Sequence, residues 1–274
     1  MRFSSDQIQK IEKEISNKVD GKTLFDEFSR GRYSTDASVY QIKPLGVVLP
    51  KDTNDVLNLM EYSQKNSIPL LARGGGSSQC GQTVGESVVL DYSKHQNKIL
   101  ELNVEEKYVW VQPGVVLDHL NSFLRPHGLW FPVDVSTSSR ATIGGMSANN
   151  SCGSRSLYYG NMVHNVLAIE AILDDGSIHT FDQINKNYLA TTNNQDRFYK
   201  IIDKFLHLRQ KVSKDIDENW PTTQRRVGGY NIDLIDPNGF NSSNLLVGSE
   251  GTLSLFNKIK LKLSEIPRKK ILGV

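Results

Sequence analysis

The chain has 274 residues, and 32 Lys and Arg against 30 Asp and Glu leave a formal charge of +2, without the basic field a nucleic-acid partner requires. Hydrophobic residues make up 38%, an ordinary globular share, and two cysteines, Cys80 and Cys152, exclude a disulfide framework. No apolar run reaches the roughly 18 residues that span a bilayer, and the polar start MRFSSDQIQKIEKE is unlike a signal peptide, so the chain reads as soluble and cytoplasmic.

In chain order, Ile8, Ile11, Ile15 and Val19 predict a helix over 4–19, capped by Ser4, Ser5 or Asp6 and stopped by Gly21. The stretch FDEFSRGRYSTDASVYQIKP reads as an ordered loop lying against another part of the molecule. GVVLP (46–50) is a buried strand, and Thr53 caps a helix that carries Val56, Leu57 and Met60. PLLA (69–72), SVVLD (87–91), ILELN (99–103) and YVWVQ (108–112) are further strands. A helix over 115–126 ends at Pro126 and Gly128. Trp130 to Gly160 lacks regular pattern, yet its Trp, Phe, Val and Ile argue for order. VLAIEAIL (166–173) and SIHTF (177–181) form a hairpin about Asp174-Asp175-Gly176. A helix over 196–212 follows, and alternation of Ile259, Leu261 and Leu263 with lysines gives a closing strand wet on one face. Short strands mixed with helices make an α+β architecture, not a doubly wound sheet.

Three glycine-rich segments carry the chemistry. Arg73-Gly74-Gly75-Gly76-Ser77-Ser78 follows a strand directly. Its glycines permit positive φ and uncover N–H groups, so it is either a flexible turn or an anion-binding concavity. It lacks the Gly-Lys-Ser/Thr of a Walker loop and the βαβ frame of a dinucleotide fingerprint. Ser136 to Met146 allows close backbone approach to an extended ligand, or is a tight crossover. Val247 to Leu253 is a third segment, or a bulged hairpin. No pair of the six histidines has metal-ligand spacing.

Together, in this order and spacing, these segments resemble the FAD-binding domain of the vanillyl-alcohol oxidase and para-cresol methylhydroxylase (PCMH) type. GVVLPKDTNDV resembles the domain's entry strand and helix, ARGGGSSQCGQT its pyrophosphate loop, VDVSTSSRATIGGMSANNSCG the segment along the flavin, and VGSEGTLSLFNKIKLKL its closing motif. The nearest resemblance is to FAD-linked D-2-hydroxyacid dehydrogenases acting on D-lactate or D-2-hydroxyglutarate. STSSRATIGG and FSRGRYSTDASVYQ resemble long forms that carry an added iron–sulfur region.

The resemblance implies a PCMH-type fold over 40–265, with lobes of about 40–105 and 106–265, the flavin between them, and residues 1–39 as a preceding helix and loop. Arg73, Gly74, Gly75, Gly76, Ser77, Ser78, Gly81 and Gln82 would hold the FAD pyrophosphate. Pro132, Asp134, Ser136 and Thr137 would line the adenosine and ribityl side. Thr142, Gly144 and Gly145 would run along the cofactor, with Asn149, Ser151, Cys152 and Gly153 nearer its ring. Glu250, Gly251 and Thr252 would close the pocket, and Arg225 or Arg226 would meet a substrate carboxylate. Family positions that attach flavin covalently hold Ser77 and Ser139 here, which implies noncovalent FAD. Cys80 and Cys152 are read as small packing residues, and His164 as a surface or packing residue.

The resemblance also implies a substrate-binding cap beginning near 266–274, which would supply the general base; no catalytic base is read from these residues. The implied substrate is a 2-hydroxyacid. The electron acceptor is an iron–sulfur region in the long forms, and the protein is cytoplasmic or peripheral to the membrane. Two other readings are a flavin-carrying subunit that needs a partner, and an NADPH-dependent reductase of the peptidoglycan-precursor type. GSEGTLS and STSSRATIGG speak against the latter.

Overall fold

A computed structural model describes residues 3–185 and 196–267. The chain opens with helix α1 (Ser5–Ser16), strand β1 (Lys22–Leu24) and helix α2 (Glu27–Arg32), followed by β2 (Gly46–Leu49), α3 (Thr53–Asn66), β3 (Leu70–Arg73) and β4 (Val88–Asp91). These strands form one sheet in the order β1-β2-β4-β3, parallel except for β1. The crossover through α3 therefore carries β3 to the far side of β4.

Ser4 caps α1 as expected, its hydroxyl accepting from the Gln7 N–H while the Gln7 side chain returns the bond. Ile8, Ile11 and Ile15 are buried in one core with Leu59 and Tyr62 of α3, each worth about 1.5–3 kcal/mol as a buried apolar side chain. Residues 1–39 are thus no appendage over their described part: α1 packs into the first core, and β1 extends its sheet.

Two local expectations change. Asp52, not Thr53, caps α3, accepting from the Asn54 N–H at 2.8 Å and the Asp55 N–H at 3.3 Å. Gly21 does not terminate α1, whose last residue is Ser16. A β-carbon at Gly21 would come 2.2 Å from the Leu49 carbonyl oxygen. The glycine is there because two backbones meet.

The second lobe follows with β5 (Ile99–Asn103), β6 (Tyr108–Val111), helix α4 (Leu117–Leu124), β7 (Leu129–Trp130), and three short helices, α5 (Ile143–Ala148), α6 (Ser156–Tyr159) and α7 (Met162–Asn165). Next come β8 (Val166–Ile172), β9 (Ile178–Phe181), β10 (Gln183–Asn185), helix Arg197–Lys211, β11 (Gly239–Asn241), β12 (Leu255–Lys262) and β13 (Ser264–Glu265). Strands β5-β6-β12-β8-β9 form an antiparallel sheet over a large core that includes Phe131, Ile143, Ile169 and Phe181. Because β5 pairs with β6, the sheets divide between Asp91 and Ile99 and not near residue 105. The stretch 130–160, without pattern in the sequence, contains two short helices, α5 and α6. Thr53 Oγ1 donates to Asn257 Oδ1 at 2.7 Å, and Ile172 and Leu255 join the first core, tying the lobes together. No helix among the described residues is long and apolar enough to cross a membrane. Residues 268–274, where a cap's start is expected, lie outside the described part.

Candidate functional site

A cleft of about 740 Å³ opens between the lobes at the carboxyl ends of β3 and β4, where ligands of parallel sheets characteristically bind. Its walls are residues 72–80, 82 and 83 at the end of β3 and beyond it, Tyr92 after β4, residues 141, 142, 144–146 and 148–152 around α5, and residues 250, 251 and 254–256 leading into β12.

The glycine loop and the second segment interlock. A β-carbon on Gly74 would lie 2.0 Å from Thr142 Oγ1, and one on Gly75 would lie 2.3 Å from the Arg140 carbonyl oxygen. Positive φ is confined to Gly76 (+62°) and Gly81 (+79°) within the loop. Gly74 and Gly75 are glycines for close approach, not for a left-handed backbone. Thr142 caps α5, while the Gly144 and Ile143 N–H groups donate at 2.8 Å to the Pro113 and Val115 carbonyls, fixing this wall to the strand end after β6.

Among the described residues, the N–H groups of Gly75, Gly76, Ser77, Ser78 and Gln79 have no intramolecular acceptor. Arg73 and Glu250 are the sole charged residues of the lining, so five free amides, and no lysine, are available to a bound anion. Charge-assisted bonds from such donors are worth ~1.5–3 kcal/mol each. Ser78 Oγ donates to Gln82 Oε1, and Gln82 Nε2 reaches Glu250 Oε1 at 3.3 Å across the cleft. Glu250 holds φ +51° between Gly248 (+84°) and Gly251 (+78°), a strained turn of the kind kept at functional sites. Its N–H donates to the Ala148 carbonyl at 2.9 Å, which seats the third segment on α5.

The cleft thus gathers Arg73, Gly74, Gly75, Gly76, Ser77, Ser78, Gln82, Thr137, Thr142, Gly144, Gly145, Asn149, Ser151, Cys152, Glu250 and Gly251. Gly81, Pro132, Asp134, Ser136, Gly153 and Thr252 stand outside its lining. Gly81 packs on the Tyr40 ring, Pro132 is buried, and Ser136 is exposed. Asp134 faces a separate hollow and accepts from Ser154 Oγ at 2.8 Å and the Arg155 N–H at 3.1 Å, with Gly153 pressed against it. Thr252 Oγ1 donates to the Ser249 carbonyl at 2.6 Å. Arg226 is committed to Asp233 at 2.5 Å and to the Trp220 ring, whereas exposed Arg225 bonds the Gly153 carbonyl at 3.0 Å. Val227 and Gly228 beside them do reach the cleft. His164 Nδ1 accepts from the Asn161 N–H at 3.0 Å and lies outside the lining.

The sequence did not single out Tyr92, Pro113, Met146, Asn150 or Phe256 as wall residues. Met146, Asn150 and Phe256 lie within segments already matched to the family motifs, and Tyr92 leaves the end of a parallel strand next to the one bearing the glycine loop. Its hydroxyl, Asn150 Nδ2 and Ser254 Oγ are buried without a partner. Free amides, close-packed glycines and unsatisfied polar atoms around one cleft of about 740 Å³ fit a dinucleotide with a pyrophosphate.

Residues 44–182 match the family described as FAD binding domain. The chain belongs to the FAD-binding domain family. It is 37% identical over 251 residues to a D-2-hydroxyglutarate dehydrogenase of Haemophilus influenzae, covering 86% of this chain and 24% of that protein. It is also 36% identical over 172 residues to a mitochondrial cytochrome D-lactate dehydrogenase of Kluyveromyces lactis, covering 61% of this chain and 30% of that protein. The solved structure of an alkyldihydroxyacetonephosphate synthase superposes with a TM-score of 0.65 at 18% identity, covering 97% of this chain and 42% of that one. The chain spans about a quarter of the length of the first curated relatives it matches. The α+β, PCMH-type reading of the fold holds, and FAD is the cofactor of the domain.

Proposed function

We propose that this chain is the FAD-holding domain of an oxidoreductase that oxidises a D-2-hydroxyacid of the D-2-hydroxyglutarate or D-lactate type, with FAD bound noncovalently. The observation that carries the reading is the interlocked cleft between residues 74–79 and 140–145, in a chain 37% identical to a D-2-hydroxyglutarate dehydrogenase.

The chemistry that FAD supplies there is acceptance of a hydride from the hydroxyacid's α-carbon. The chain's own part is binding and orientation. The amides of residues 75–79 would hold the pyrophosphate, the backbone of 142–145 would run beside the cofactor, and Asn149, Ser151 and Cys152 would lie nearer the ring. Arg225, unpaired with any acid among the described residues, is the better of the two arginines for a substrate carboxylate. On this reading the electron acceptor is an iron–sulfur region of a longer protein, working in the cytoplasm or at the membrane surface.

Anaerobic mixing tests this. The FAD-loaded protein, extended by the remainder of the longer polypeptide, should lose its flavin absorbance with D-2-hydroxyglutarate or D-lactate. Bleaching by NADPH and by neither acid overturns the proposal.

A further inference from the structure

The glycine loop leaves the sheet at Arg73 and ends at Thr83, and the Arg73 side chain closes it. Nη1 donates to the Thr83 carbonyl at 3.0 Å and to the Tyr33 carbonyl at 3.3 Å, and Nη2 donates to the Thr35 carbonyl at 2.7 Å. The guanidinium carbon lies 5.3 Å from the centre of the Tyr33 ring. It sits so close beneath the loop that a β-carbon on Gly76 would stand 2.5 Å from Nη2. Burial lowers the guanidinium's pKa, and the negative charge of Asp36 and Asp91 nearby offsets part of that.

The segment that Arg73 reaches is itself fastened around the loop. Residues 33–42 fold back through a Thr35–Gln41 bridge and an Ile42 N–H to Ser34 carbonyl bond of 2.8 Å. Tyr33 Oη donates to Asp91 Oδ2 at 2.6 Å, and Thr83 Oγ1 donates to Asp36 Oδ2 at 2.9 Å. The Tyr40 ring fills the space beside Gly81, where a β-carbon would approach to 2.4 Å. The segment 33–42 precedes Pro44, the first residue of the family match.

We propose that Arg73 is a positioning residue for the cofactor and not a charge that touches it. Its guanidinium, through the carbonyls of Thr35 and Thr83, holds residues 74–82 in the shape that presents their amides. The segment 33–41 thereby belongs to the cofactor site, although none of it lines the cleft. The physical reason is conformational: a loop with three consecutive glycines has many shapes to lose on binding, and closing its base beforehand lowers that loss. A planar fork can bond diverging carbonyls at once, whereas a lysine ammonium is a single point on a flexible stem. The inference rests on the FAD reading above.

The test compares the protein with Arg73→Lys and with Asp36→Ala, titrating FAD and riboflavin, which has the same ring system and no phosphate, and measuring thermal midpoints without flavin. Arg73→Lys should weaken FAD binding at least tenfold, and Asp36→Ala about threefold, while riboflavin stays within twofold in both. Lysine retains the charge, so Arg73→Lys binding FAD as tightly as the original would mean that charge is what matters, and the proposal fails. FAD and riboflavin falling together, with a lowered midpoint, also overturns it, because that is general loss of structure. An unsubstituted protein that binds neither flavin overturns the FAD reading itself, and this inference with it.

Discussion

The Arg140 carbonyl oxygen stands 2.3 Å from where a β-carbon on Gly75 would be. No real β-carbon tolerates that distance to a backbone atom, so the two walls of the cleft can close only because Gly75 has no side chain. Gly75→Val should therefore push the walls apart and weaken FAD binding at least tenfold, about 1.4 kcal/mol. Fluorescence titration with FAD checks this, and an unchanged dissociation constant would show that the interlock does not shape the site.

The family resemblance implies that Ser77 and Ser139 stand at the positions of covalent attachment, and on the noncovalent reading proposed above the FAD should leave on denaturation. After acid precipitation the yellow colour is expected in the supernatant, with the absorption and phosphodiesterase-sensitive fluorescence of FAD. Because Cys152 is in the cleft lining, Cys152→Ser should behave identically. Colour retained in the pellet by the original protein and lost from it in that variant would identify Cys152 as an attachment point.

Asp55 is a buried carboxylate, 3% exposed, that accepts from the backbone N–H groups of Asp20 at 2.7 Å, Gly21 at 2.9 Å and Lys51 at 2.7 Å. It joins the turn after α1 to the turn before α3. Asp55→Ala leaves three donors without an acceptor and should cost about 3 kcal/mol or more. At about 2–4 °C per kcal/mol for a chain of this size, the thermal midpoint should fall by roughly 6–12 °C. Asp55→Asn, which keeps one acceptor, should lose less.

Burial holds the Tyr33 and Tyr92 hydroxyls above the ordinary phenol range, with the bond to Asp91 adding to the effect for Tyr33. Groups whose pKa is raised by folding contribute stability in full below the unfolded value, near 10, and that contribution is lost as pH climbs past it. Stability should thus decline above about pH 10, when the unfolded chain can shed protons that the folded one keeps. A titration at 295 nm should show these tyrosines ionising together with unfolding. Tyr92→Phe and Tyr33→Phe should each lessen the alkaline decline, and early, independent ionisation of all tyrosines would contradict the assignment.

What the sequence determined by itself was local pattern and motif. Ile8, Ile11 and Ile15 at helical spacing placed α1, alternating Ile259, Leu261 and Leu263 placed β12, and the three glycine-rich segments in register pointed to an FAD-binding domain. Such signals are legible because helical and strand periodicities, caps and turns depend on neighbours a few residues away. Tertiary structure alone decided which residues needed to be small and which charges were already spoken for. Gly75 answers to Arg140, Gly21 to Leu49, Arg73 to Thr35 and Thr83, and Arg226 to Asp233. Each of these is a steric or hydrogen-bonding contact made when separate segments are brought to within a few ångströms. Close approach of that kind leaves no periodicity in the chain, so β5 could be recognised as a strand from its residues, but its place in the second sheet was fixed by pairing with β6.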